Sequence, residues 1–401
     1  MSIHSLMFGW EYPPNHLGGL GVACQGIVRG LAKHNVHMTL VLPYAGEDED
    51  AEVLSAGEEQ LVCKARVRSL LTPYQTAEGY ALKSQTIPRD QLQIYGMDMA
   101  EAIAQYTEVS MEITKDTNPD VIHCHDWMTY ESGIRSANHH RKPLVTHIHA
   151  TELDRTHFQP NEWIYARERR GFQAADRIIA VSNYTRSILT KHYGIDPAKI
   201  SVVHNGSVYE PRQDLILTSG YRGGHHPMVL FLGRLVIQKG AKQFLYMATK
   251  VHALRPDVQF VVAGDGGQMG ELIEQACDYG LQDCVIFAGK AHSHEVQKLY
   301  EQANCFVMPS LSEPFGLVAL EAIAHGTPVV LSKQSGVVEV VDHCFTVDFW
   351  DTEKMADCVL TILRDEPLAM QLRSEAPHIL RNLTWEKQAG HIYSIYKELI
   401  T

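Results

Sequence analysis

Four groups of residues have the types and spacing to do chemistry. The first is Gly18-Gly19-Leu20-Gly21, which follows an apolar run and opens a helical one. Glycines there let the backbone approach a ligand closely, and the N–H groups of a helix start attract an anion. The spacing is not the GxGxxG dinucleotide fingerprint. The second strand ends on Leu42-Pro43-Tyr44 with no acidic residue to grip a ribose, so a Rossmann dehydrogenase is disfavoured. The second group is Gly233-Arg234-Leu235 with Lys239-Gly240, at the end of a strand and the start of the next helix. A planar guanidinium fork and an ammonium point charge together suit a diphosphate held from two sides.

The third group is Ser312-Glu313-Pro314-Phe315-Gly316-Leu317-Val318-Ala319-Leu320-Glu321. Pro314 fits a first helical turn, which predicts a helix over 315–325. Glu313 then stands at the mouth and Glu321 lies roughly 12 Å further along. Paired acid/base carboxylates usually stand about 5 to 9.5 Å apart, so these two do not share one reacting atom. They suit an extended ligand gripped at two hydroxyl-bearing ends, with the N–H groups of Phe315, Gly316 and Leu317 between. The fourth group is His123-Cys124-His125-Asp126-Trp127 and His147-Ile148-His149. Alternate strand residues face the same side, so either HxH pair could ligate a metal, as in metal-dependent hydrolases. That chemistry usually needs further carboxylate ligands on later strands, and the second half offers a basic, glutamate-lined cleft instead. The acidic run containing Asp48 and Asp50 reads as a solvated loop.

The elements that must position these residues alternate strand-like and helix-like from end to end, which predicts an α/β protein with parallel sheets covered by helices. Strands are expected at 3–8, 37–42, 121–125, 143–149, 177–182 and 200–204, with helices over 21–34, 100–117 and 161–175. A Pro/Gly/His/Arg-rich stretch, 209–227, reads as a linker. A second series places strands at 228–232, 258–263, 284–288, 305–309 and 328–331, and helices over 241–254, 267–279 and 294–303. Two Rossmann-like domains facing each other across a deep cleft are therefore expected, 1–215 and 216–384. An amphipathic stretch over 385–401 could end the second domain or return to the first.

The 401 residues include 35 Lys plus Arg against 47 Asp plus Glu, a net charge of −12, with 45% apolar residues. Such a chain buries enough surface to fold, and its length asks for two or three domains. The acidic balance argues against nucleic-acid binding, so an anionic ligand must meet local positive charge. Eight cysteines form no CxxC pair and read as core thiols of a reducing compartment. The start lacks a signal peptide, and no apolar stretch approaches the roughly 18 residues of a spanning helix. A cytoplasmic protein is expected, with peripheral membrane contact left open.

Taken in order, the glycine turn, His123-x-His125-Asp126-Trp127, Ala180-Val181-Ser182, Asn205-Gly206, Gly233-Arg234 with Lys239-Gly240, Gly264-Asp265-Gly266 and the Glu313-to-Glu321 element resemble the retaining GT-B glycosyltransferases of family four (group 1), cousins of glycogen and starch synthases. The resemblance covers most of the chain. It implies 1–215 on the acceptor side, donor binding mostly by the second domain, 216–384, and a C-terminal helix crossing back to the first. Arg234 and Lys239 would bind the donor diphosphate, Glu321 the ribose, and Glu313 the transferred sugar. His149 would lie near that sugar. The backbone of Gly18, Gly19, Leu20 and Gly21 would face phosphate or acceptor, and Gly264, Phe315, Gly316 and Leu317 would complete the donor site. The resemblance also implies no protein nucleophile, no cofactor and no metal, because the cations stand in its place. Partners would be a nucleotide diphosphate sugar and a saccharide acceptor. UDP- or ADP-glucose leads, with GDP-mannose second. Two departures bear on this: His16 stands where glycogen and starch synthases carry a Lys, and Ser207-Val208 follow Asn205-Gly206 where Val-Asp is common.

Overall fold

The computed structural model describes residues 2–13, 18–44, 62–69, 71, 77–85, 98–207, 209–212, 214 and 226–401. Seven strands form the first sheet: β1 (Ile3–Phe8), β2 (Val36–Tyr44), β3 (Val62–Arg68), β4 (Val121–His125), β5 (Leu144–Ile148), β6 (Arg177–Ala180) and β7 (Ile200–Val202). Six form the second: β8 (Met228–Leu232), β9 (Gln259–Ala263), β10 (Val285–Gly289), β11 (Cys305–Met308), β12 (Val329–Ser332) and β13 (Phe345–Val347). The orders are β3-β2-β1-β4-β5-β6-β7 and β10-β9-β8-β11-β12-β13, and the strand pairs are parallel. Each sheet thus repeats the doubly wound 3-2-1-4-5-6 order, with β7 added to the first. In that order the switch point lies beside the first strand of each domain, where ligands bind beyond the carboxyl ends. The expected α/β architecture of two Rossmann-like domains is the one observed.

Helices on both faces explain why the strands read as apolar runs rather than alternating ones. Every residue of β4, β5 and β11 is buried. The two faces of the second sheet carry separate cores, one around Phe244, Phe260 and Val359, the other around Phe306, Leu320 and Leu380. The C-terminal helix Trp385–Ile400 packs instead into the first domain, giving Trp385, Ala389, Ile392, Ile395 and Tyr396 to its core. Its seat is the Gly19–Lys33 helix. A Cβ on Gly26 would lie 2.2 Å from the Trp385 ring and one on Gly30 2.6 Å from the Ala389 Cβ, so these glycines set the approach.

One difference from expectation lies at the site. The helix of the Glu313-to-Glu321 segment starts at Leu317 and ends at Ala324, so Pro314 and Phe315 precede it. Gly316, at φ 111, makes the turn before it in a conformation that a side chain would strain, and this residue rather than Pro314 sets the helix start. Most of the linker, its 215/216 boundary, the Asp48 and Asp50 run, His16 and Val208 lie outside the described residues.

Candidate functional site

Where the carboxyl edges of the two sheets meet, Gly19, Leu20, Asp126, His149, Ala150 and Asn205 of the first domain face Arg234, Gln238, Lys239, Glu313 and Pro314 to Val318 of the second around a cavity of about 130 Å³. At the glycine turn, a Cβ on Gly19 would meet Leu317 Cδ1 of the other domain at an ordinary 3.4 Å.

The second domain's wall is built from loops that follow β8 and β11. After β8 the chain makes a short turn, Ile237–Lys239, and Gly240 at φ 75 sends it into the next helix. A side chain on Gly240 would collide with the Pro309 carbonyl at 2.0 Å, so glycine lets the two loops touch. Gln238 fastens them, donating from Nε2 to the Ser312 carbonyl and accepting the Leu311 N–H. Lys239 Nζ then lies 2.6 Å from Glu313 Oε2, and Ser310 Oγ donates to the same oxygen at 3.2 Å. Glu313 is almost buried while Lys239 keeps about a fifth of its surface exposed. Arg234 lines the same cavity. The first N–H groups of the Leu317 helix have no acceptor within it, adding positive potential.

The first domain's wall comes from β4 and β5. Asp126, at φ 57, turns sharply out of β4, and its Oδ1 accepts the His149 N–H at 2.8 Å. His149 Nε2 lies 3.0 Å from His125 Nδ1. Burial lowers the His149 pKa below the ordinary histidine value, with the Asp126 charge opposing, so the ring is neutral near pH 7. Behind it, Thr151 and Asp154 form a capping box on the short helix Glu152–Arg155. Asp154 Oδ1 also accepts Ser312 Oγ at 2.5 Å from the other domain. Ser182 Oγ donates to the Pro314 carbonyl at 2.6 Å, and Glu339 accepts from Asn183, Tyr184 and His204. These bonds hold the lobes together beside the cavity.

Two family models match the chain, Glycosyltransferase Family 4 over residues 17–207 and Glycosyl transferases group 1 over 222–378. The chain belongs to the group 1 GT-B glycosyltransferases. An uncharacterized glycosyltransferase of Methanocaldococcus jannaschii is 28% identical over 98% of this chain and 97% of its own length. A glycogen synthase of Mycobacterium tuberculosis is 28% identical over 98% of this chain and 94% of its own. The sucrose-phosphate synthase from Thermosynechococcus elongatus superposes with a TM-score of 0.75 at 22% identity, covering 99% of both chains.

Of the transferase's expected site residues, Gly19, Leu20, His149, Arg234, Lys239, Glu313, Phe315, Gly316 and Leu317 line one cavity. The others are not among its lining residues. Gly18 precedes the helix, and the Gly21 N–H donates to buried Glu11 at 3.2 Å. Gly264, at φ 143, lies where a Cβ would be 1.8 Å from the Gly233 carbonyl, so it supports the Arg234 loop rather than facing the cavity. Glu321 accepts a hydrogen bond from Tyr300 at 3.1 Å, and burial raises its pKa, which the bond partly offsets. Asp126, Asn205 and Gln238 line the site without having been assigned a place in it. Their signal is positional, since each directly follows or flanks an assigned motif. A larger cavity, about 350 Å³ near Trp127, Tyr130 and Arg167, touches none of the expected residues.

Proposed function

We propose that this transferase moves a hexose, glucose in preference to mannose, from a nucleotide diphosphate sugar to a saccharide acceptor with retention of anomeric configuration. The observation that carries the reading is the gathering of Arg234, Lys239 and the Leu317 helix start around one cavity in a protein of net charge −12. Positive charge so placed in an acidic protein answers to an anion. The glycogen synthase relative supports glucose and a glucan-type acceptor.

In this reading Arg234 and Lys239 hold the diphosphate and oppose the charge that grows on it as the bond from the sugar's C1 to phosphate breaks. The acceptor hydroxyl bonds to C1 on the same face and passes its proton to the departing phosphate oxygen, so no side chain attacks. Glu313 and the neutral His149 orient the sugar's hydroxyls, Glu321 receives the ribose, and the Gly19-Leu20 backbone closes over the phosphate or the acceptor. No cofactor takes part, and the two cations fill the place a metal would take.

The test is incubation of the purified chain with UDP-glucose, ADP-glucose or GDP-mannose and a maltooligosaccharide acceptor, following nucleoside diphosphate release and the product's anomeric protons by NMR. Release from a glucose donor with an α-linked product supports the reading. An inverted product, transfer from GDP-mannose alone, or no release from any donor contradicts it.

A further inference from the structure

Behind the cavity wall, β4 and β5 place three histidines against one another. The strands are parallel neighbours with His125 registered on His147, and His123 precedes His125 by two residues on the same face. All three are fully or almost fully buried. Their rings lie 4.4 Å (His123 to His125), 5.2 Å (His125 to His147) and 5.5 Å (His123 to His147) apart. One ring nitrogen of each lies within 4.8 Å of one from each of the others.

The hydrogen bonds divide these rings into an outer and an inner side. His123 Nδ1 lies 2.5 Å from the Tyr396 hydroxyl, and His125 Nδ1 3.0 Å from His149 Nε2. Among the described residues, His123 Nε2, His125 Nε2 and both nitrogens of His147 have no partner. An orphaned buried polar atom keeps its desolvation cost with no bond to offset it, and this core gathers four of them in one place. With Nδ1 protonated and engaged, Nε2 of His123 and of His125 presents a lone pair. Histidines that ligate metals are held this way, the far N–H tied to a second partner while the near nitrogen binds the ion.

We propose that His123, His125 and His147 bind one divalent ion of the imidazole-preferring kind, zinc foremost, which ties β4 to β5 behind the cavity wall. Three imidazoles without a ligating carboxylate suit zinc, copper or nickel and not calcium or magnesium. Metal–nitrogen bonds of about 2.0–2.1 Å in tetrahedral geometry place ligand nitrogens about 3.4 Å apart, which ring rotation can reach from the observed spacing. The ion is structural: it touches neither donor nor acceptor, and it enters during folding because the ligands are closed to solvent.

The experiment uses the full chain, produced without a polyhistidine tag and with zinc in the medium. Elemental analysis after gel filtration should find one zinc per chain, falling to substoichiometric levels in His147→Gln and His123→Gln, with circular dichroism confirming that the variants fold. Independently of the variants, wild-type chain unfolded with chelator and refolded with cobalt(II) should show the visible absorption of tetrahedral cobalt. Two results overturn the assignment: wild type with neither bound zinc nor cobalt bands, which would leave the rings as a neutral stack around buried water, or folded His147→Gln that still holds stoichiometric zinc.

Discussion

Lys239 Nζ and Glu313 Oε2 stand 2.6 Å apart, joining the loop after β8 to the loop after β11. The cation assigned to the diphosphate and the acid assigned to the sugar are therefore each other's counter-ions before any ligand arrives. In the proposed function an entering diphosphate would compete with Glu313 for the ammonium, so the two binding duties would be coupled through one ion pair. Removing Lys239 leaves a nearly buried carboxylate that, among the described residues, keeps the Ser310 hydroxyl as its side-chain donor. Lys239→Ala should lower stability by about 2–3 kcal/mol, and the double variant Lys239→Ala/Glu313→Gln should lose less than the sum of the single losses. Thermal unfolding of the four proteins checks this, and strict additivity would count against the pair.

Glu339 clamps the lobes by accepting from the Asn183 and Tyr184 N–H groups and from His204. Burial opposes its ionisation, but these hydrogen bonds prevail and hold its pKa below the ordinary 4.5. A depressed carboxylate stabilises the fold above its unfolded pKa, and the contribution fades as pH falls through the folded value. Glu339→Gln should therefore cost about 1–2 kcal/mol at neutral pH. Measured by unfolding across pH, that deficit should hold down to about pH 4.5 and shrink below it. A deficit that grows on acidification would reverse the assignment.

Gly264→Ala and Gly19→Ala separate support from lining. The first adds a methyl 1.8 Å from the Gly233 carbonyl at a φ of 143, so the Arg234 loop must move. A loss of at least about 2 kcal/mol is expected, together with most of the activity. The second meets Leu317 at an ordinary 3.4 Å and should fold within about 0.5 kcal/mol of wild type. Equal melting temperatures for the two variants would contradict this account of the glycines.

Trp385→Ala should destabilise the first domain by about 3–5 kcal/mol, because the ring fills the space left by Gly26 and Gly206. Hydrogen exchange should report the change in β1 and the Gly19–Lys33 helix, and little in β8 to β13. Equal loss of protection in both domains would show that the helix does not belong to the first core.

Much of this architecture is legible in the chain, because strands buried on both faces leave apolar runs such as Met228–Leu232 that few other elements imitate. The glycine turn and the Arg234 and Lys239 cations stand out by position instead, since each follows the carboxyl end of a strand, where open α/β sheets place ligands. Strand β3 was missed because an edge strand reading Val-Cys-Lys-Ala-Arg-Val-Arg has charges where central strands have valines. The Trp127–His140 and Asn183–His192 helices were missed because their threonines, serines and asparagines blur the apolar period. Asp154 with Ser312, 158 residues apart, and the convergence of His125 on His147 depend on domain docking and strand register, which no local pattern encodes.

In the proposed function one guanidinium and one ammonium hold a diphosphate between the lobes. Its most direct test is calorimetric titration of the donor's nucleoside diphosphate into wild type, Arg234→Ala and Lys239→Ala. Tight binding to the wild type is expected, with a loss of affinity of about 10²-fold or more in each variant, as when a charge partner of a bound anion is removed. Unchanged affinity in both would contradict it.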